Sequence, residues 1–192
     1  MPAIPRKQLF LFNCLRWLTS HVVKSPFGRL KWIYRYMDSY NKFVATFSVC
    51  SKGCSHCCEI DVYISSLEAA YIAENIGVPA NFDSPYSKNH FSPCPFLSKE
   101  KSCSIYQFRP FNCRTFHTLD HPKYCVSGES HAVYGASGYG YGASVLQEIA
   151  HVITQLNGNH PMKDIRDFFK TANPAVQGAL RDKAAQRPLP PR

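Results

Sequence analysis

The 192-residue sequence has no apolar run approaching the roughly 20 residues that a membrane-spanning helix requires. It also lacks a processing signal. The start, MPAIPRKQLFLFNCLRWLTS, sets Arg6 and Lys7 before LFLF as a signal peptide would. Asn13 and Arg16 then break the apolar stretch, and no small-x-small cleavage site follows. These absences predict the first helix of a cytoplasmic protein. No internal repeat is visible, which sets aside solenoids and propellers. The basic residues read as scattered, with no dense stripe and no recognised DNA-reading motif.

What is present is apolar residues, cysteine and positive charge. Hydrophobic residues make up 45% and aromatics 14%, enough to build a packed core. Nine cysteines in a chain kept in a reducing compartment point to metal ligands or catalytic thiols rather than disulfides. The odd count agrees, because a disulfide framework would leave one thiol over. The formal charge of +9 raises the possibility of nucleic acid or an anionic surface as partner. Two filled four-thiolate centres would each carry about −2, so part of that charge balances bound metal.

Helical spacing at positions 11, 14, 15, 18 and 22 predicts a first helix with Cys14 buried on its apolar stripe. Ser25-Pro26 predicts the start of a second helix, with Phe27, Leu30, Ile33, Met37, Val44 and Phe47 along one side. EIDVYIS alternates and predicts a short strand. Ser65 and Glu68 form a capping box for a helix closed by Gly77, and residues 78–93 read as a loop. Ser144 and Gln147 suggest another capping box before a helix closed at Gly158, and Pro161 and Asn173-Pro174 suggest further helix starts. The expected fold is mainly α, a small helical domain with an irregular, metal-organised, cysteine-rich middle and one short β-strand. The expected division, within one compact domain, is a helical pair over 1–49, a metal-binding core over 50–125, and helices with a frayed tail over 126–192.

Apart from Cys14, the cysteines form two groups of four. Cys50, Cys54, Cys57 and Cys58 lie within CSKGCSHCC, and Cys94, Cys103, Cys113 and Cys125 spread over the next stretch. Zinc and 4Fe–4S clusters both take four thiolates, and short spacers let one turn aim several inward. Adjacent side chains diverge, so Cys57 and Cys58 can serve different centres. Eight thiols suit two four-ligand sites, or one site with the remaining thiols buried or reactive. Arg109 and Arg114, flanking PFNC, are candidates to donate hydrogen bonds toward the thiolates and offset their charge.

CSKGCSHCC, then CPFLSKEKSCSIYQFRPFNCR, then a cysteine soon after TFHTLD, resembles the YkgJ-type cysteine-cluster family, described as zinc- or iron-chelating. The resemblance covers roughly residues 50–125 and implies as ligands Cys50, Cys54, Cys57, Cys58, Cys94, Cys103, Cys113 and Cys125. The first spacer has three residues where the family shorthand has two. A similar domain occurs in larger flagellin lysine methylases, so the resemblance implies a cofactor class and leaves the reaction open.

His56, His117 and His121 are alternative ligands, and His117 is a candidate for proton transfer. Ile105, Tyr106 and Phe108 read as core anchors. The run Gly138-x-Gly140-x-x-Ala143 matches a dinucleotide pattern without a clear preceding strand, and Tyr134, Tyr139 and Tyr141 read as packing rather than base-stacking residues. The expected function is an iron–sulfur cluster, of the 4Fe–4S kind, or zinc held by the clustered cysteines, with a redox or protein-modification role. The partner is an unidentified protein or substrate. A zinc-stabilised nucleic-acid-binding module and a metal carrier are the alternatives.

Overall fold

The computed structural model describes residues 2–50, 53–127, 129–135, 143–158 and 160–169. Among these are seven α-helices and two small antiparallel strand pairs, so the fold is mainly α with minor β structure. The glycine pattern at 138–143, Tyr139, Tyr141 and the Asn173-Pro174 helix start lie wholly or largely outside the described residues.

Helix α1, Arg6–Trp17, runs on into a π-helical turn, Leu18–Val22. Its buried face is Gln8, Phe12, Leu15 and Thr19, so of the expected stripe Leu15 is buried, Leu11, Cys14 and Leu18 are half-buried and Val22 is exposed. This orientation has a local cause. The Gln8 carboxamide donates to the Ser39 carbonyl and hydroxyl, while the Phe12 ring packs 5.6 Å from that of Tyr36. Helix α2, Pro26–Val44, starts where the sequence places it, with the Ser25 hydroxyl accepting from Gly28 N–H and proline at the first position. Leu30, Ile33, Met37 and Val44 are buried as expected, joined by Tyr34, Tyr36 and Tyr40.

Helix α3, Ser66–Ile76, carries the complete capping box and ends at Gly77. Helices α4 (Phe111–Thr115), α5 (Tyr124–Ser127), α6 (Ala143–Leu156) and α7 (Ile165–Phe168) complete the set. Two expectations fail here. Helix α6 already begins at Ala143, so Ser144 lies inside its first turn and is no N-cap. Pro161 does not open a helix, because Lys163 and Asp164 first pair as a strand and Asp164 then caps α7 through Arg166 N–H.

Strand β1 (Tyr63–Ile64) pairs with β4 (Lys163–Asp164), and β2 (His117–Thr118) with β3 (Val133–Tyr134). One apolar core joins α1, α2, α6, Phe111 and Tyr134; a second joins Ile64, α3, Phe96, Ile105 and α7. Buried Glu68 ties them together. Its carboxylate accepts from Tyr34 O–H on α2 and from Phe111 N–H at the start of α4.

Gly135 follows β3 and presses on the end of α4. A Cβ there would sit 1.9 Å from the Thr115 carbonyl oxygen, an impossible separation against backbone. Gly135→Ala is expected to lower unfolding free energy by about 2–3 kcal/mol, an overpacking effect read by urea titration of the purified variant.

Candidate metal centre

Each cysteine segment is placed by hydrogen bonds from a different element. Cys50 is held by β2: Val49 N–H donates to the Thr118 carbonyl, and Thr118 N–H donates to Cys50 Sγ at 3.3 Å. The chain then turns at Gly53, whose φ of +94° suits a residue without Cβ. A 3-10 turn, His56–Cys58, follows and carries the adjacent pair. Cys94 N–H donates to the Cys58 carbonyl at 2.7 Å, which lays the second segment against the first. A bridge between Leu97 and Cys103 folds that segment back on itself, so Cys94 and Cys103 pack together against the second core. Cys113 lies in α4 and Cys125 in α5.

All nine cysteines are free thiols. Their electrostatic coupling shows which ones share a neighbourhood. Cys50 senses Cys54 and Cys57; Cys125 senses Cys50, Cys57 and Cys54. Cys113 senses Cys94, Cys57 and Cys103, and Cys94 senses Cys103. Two trios therefore emerge, Cys50–Cys54–Cys125 and Cys94–Cys103–Cys113. Cys57 is sensed from both, and its thiol is hydrogen-bonded to Cys58. The two sequence groups interleave: Cys125 joins the first trio although it belongs to the second group.

Burial pushes these thiols up, Cys94 to about 12 and Cys125 to about 11. Cys50, Cys103 and Cys113 move the same way for the same reason, and Cys57 rises through its bond to Cys58 and then burial. The thiols are thus protonated without metal, and a metal must displace those protons. The linkage has a definite sign. A thiol raised in the folded state favours folding at low pH, and that stability is lost as pH climbs from the ordinary thiol value of about 8.5 toward the raised values. Metal-free protein is therefore expected to lose stability between about pH 8 and pH 10, while metal affinity rises over the same range. Urea midpoints and metal titrations at both ends of the range check the two opposite slopes.

Arg109 is half-buried, its guanidinium 3.7 Å above the Tyr106 ring, and its charge opposes the upward shifts of Cys50, Cys57, Cys103 and Cys113. Arg114 also opposes the upward shift of Cys103, from a more buried position. It is 1% exposed and donates to the Arg109 and Gln107 carbonyls and to Asp38. It braces the loop that presents Arg109 and also lies 4.3 Å from the Tyr34 ring centre. Tyr106 is exposed rather than core, as its cation–π contact with Arg109 requires, whereas Ile105 is buried and Phe108 half-buried.

The histidines are spent largely on protein partners. His117 Nε2 lies 2.9 Å from the Arg114 carbonyl and 3.2 Å from Asn41, with its pKa lowered by burial, and His121 Nδ1 accepts from Lys123 N–H. His131, not singled out from sequence, lies 4.0 Å from Cys125 Sγ. Tyr134 is buried with its hydroxyl 2.5 Å from that of Tyr40.

Sequence reasoning also missed the lock behind Cys58 and Cys94. Arg166, nearly buried, donates to the carbonyls of Cys58, Ile60 and Ser92 and pairs with buried Asp164. Asp164 also accepts from Val62 N–H, and His90 joins Asp61 at 2.8 Å and Ser87 at 2.8 Å. Ser87 in turn donates to Asp167. Asp61, His90 and Asp164 bring ligand atoms within 4.8 Å of one another, but Arg166, His90 and backbone N–H groups already occupy those carboxylates, so the cluster is a structural clasp. Asp-x-Arg-Asp at 164–167 was its only sequence signal.

No helix among the described residues is long and apolar enough to cross a membrane. No curated protein and no solved structure matches the chain. One family model does match, over residues 49–131, and that stretch contains all eight clustered cysteines and Arg109 with its brace. Its description is "CxxCxxCC: Putative zinc- or iron-chelating domain". Over residues 49–131 the chain is similar to this family of zinc- or iron-chelating domains.

Proposed function

We propose that the clustered cysteines hold an iron–sulfur centre rather than a lone zinc ion, and that the protein's role is redox, in its own right or in support of protein modification. The number of thiols carries this reading. Seven clustered cysteines sense one another's charge and the eighth, Cys58, is hydrogen-bonded to Cys57, more soft ligands than one structural zinc requires.

The donor set fits such a centre. Each trio lacks one ligand, and the Cys57–Cys58 pair offers one thiol to each. A bound cluster supplies reversible one-electron chemistry, with a potential set by nearby charge and hydrogen bonds. Thr118 N–H at Cys50, Phe96 N–H at Cys94 and Ile105 N–H at Cys103 favour the thiolate forms. Arg109 offsets the negative charge of the array.

Anaerobic purification without a histidine tag, with iron, zinc and sulfide assays on one sample, tests the proposal. Iron with matching sulfide and an absorption band at about 400 nm supports it. Stoichiometric zinc with no iron and no visible band sinks it, and points to the carrier or nucleic-acid alternatives.

A further inference from the structure

The positive charge is unevenly placed. Residues 1–37 carry seven Lys and Arg and no Asp or Glu, whereas residues 38–169 carry ten against twelve. The same N-terminal stretch shows large apolar side chains to solvent: Phe10 at 66% exposure, Trp17 at 58% and Val22 at 53%, with Leu9 and Trp32 also exposed. Packing α1 on the core leaves these outside, because Gln8, Phe12, Leu15 and Thr19 already fill the inward face.

Several of these side chains share one side of α1. Phe10, Cys14 and Trp17 follow at helical spacing on the side of α1 away from the core, and Asn13, Cys14, Trp17 and Leu18 line an open groove. Gln8 meets Ser39 and Phe12 meets Tyr36, so α1 and α2 run antiparallel. The Arg35 guanidinium lies 4.9 Å over the Trp32 ring, and Arg6, Lys7, Lys24 and Lys31 are exposed along the same N-terminal stretch. Arg16 is partly offset by Glu148.

We propose that this outer face of α1 and α2 docks on an anionic lipid surface, lying in the headgroup plane. Exposed Trp and Phe suit the boundary between headgroups and acyl chains, and a ring of Lys and Arg suits anionic headgroups. A second copy fits less well, since a two-fold contact would press two acid-free faces together. Residues 170–192 carry five Lys and Arg against one Asp, so charge also disfavours that segment as the cover. The proposal is independent of which metal the cysteines hold.

Trp17 and Trp32 are the chain's two tryptophans, so intrinsic fluorescence reads the patch directly. Full-length protein is mixed with vesicles of phosphatidylcholine, or of phosphatidylcholine with phosphatidylserine. The expected result is co-flotation and a blue shift with the serine lipid, at least about tenfold weaker without it or at about 0.5 M salt. Phe10→Glu with Trp17→Glu should reduce binding by at least about tenfold with helicity and metal content unchanged. Lys7→Glu with Lys31→Glu gives the same answer without touching an apolar side chain. No flotation with anionic vesicles at low salt overturns the proposal. So does a dimer, or binding to a single-stranded oligonucleotide, that Phe10→Glu abolishes while vesicle binding is absent.

Discussion

Cys57→Ser is expected to cut stoichiometric metal loading by about half or more, while Cys14→Ser leaves it intact. Cys57 is the thiol that Cys50 and Cys125 sense on one side and Cys103 and Cys113 on the other. Serine keeps the size and loses the soft ligand. Disturbing even an outer partner of a metal ligand costs about 10–100-fold in affinity, so losing a ligand common to both neighbourhoods should cost more. Metal-to-protein ratios after gel filtration against a competing chelator check this. Cys14 is the internal control, half-buried on α1 and outside the matched segment. Equal loading of Cys57→Ser and wild type would remove Cys57 from the centre.

The second large effect belongs to a residue that is no ligand at all. Arg166→Ala is expected to destabilise the fold by about 3–5 kcal/mol, because it leaves the fully buried Asp164 carboxylate without its cation. That is a large share of a total stability of about 5–15 kcal/mol. The carbonyls of Cys58, Ile60 and Ser92 lose a donor at the same time. Since Cys58 and Cys94 flank those bonds, metal affinity should fall as well. Arg166→Lys keeps a charge but not the planar fork, so it should recover part of the stability and less of the metal binding. Urea denaturation and metal titration of the two variants separate these contributions. A variant that folds and loads metal like wild type would show the clasp to be dispensable.

What the sequence made legible was local. Ser25-Pro26, the Ser65–Glu68 box and Gly77 announce helix ends through chemistry confined to a few residues, and the structure keeps them. The cysteine spacing likewise carried the ligand class. What stayed hidden depends on pairings distant in sequence. The face α1 buries is set by Gln8 reaching Ser39, which no periodicity in residues 6–22 reveals. The end of the chain's described part was misread at Pro161, because β4 exists only through its pairing with β1, about a hundred residues away. The interleaving of the two cysteine groups is of the same kind. Cys125 reaches the first group through α5, and spacing alone does not show that. Arg114 acts on Cys103 through its charge, while its N–H donors go to Asp38 and two carbonyls, a division that spacing does not show.

The most direct measurement of the central claim is a thiol count on native protein, before and after the metal is stripped under anaerobic, reducing conditions. The chain has nine cysteines, and eight of them are the proposed ligands. Native protein should expose one rapidly reacting thiol, Cys14, and denatured, stripped protein nine, with iron or zinc released in step. Nine reactive thiols at the outset, with no metal released, would contradict the account.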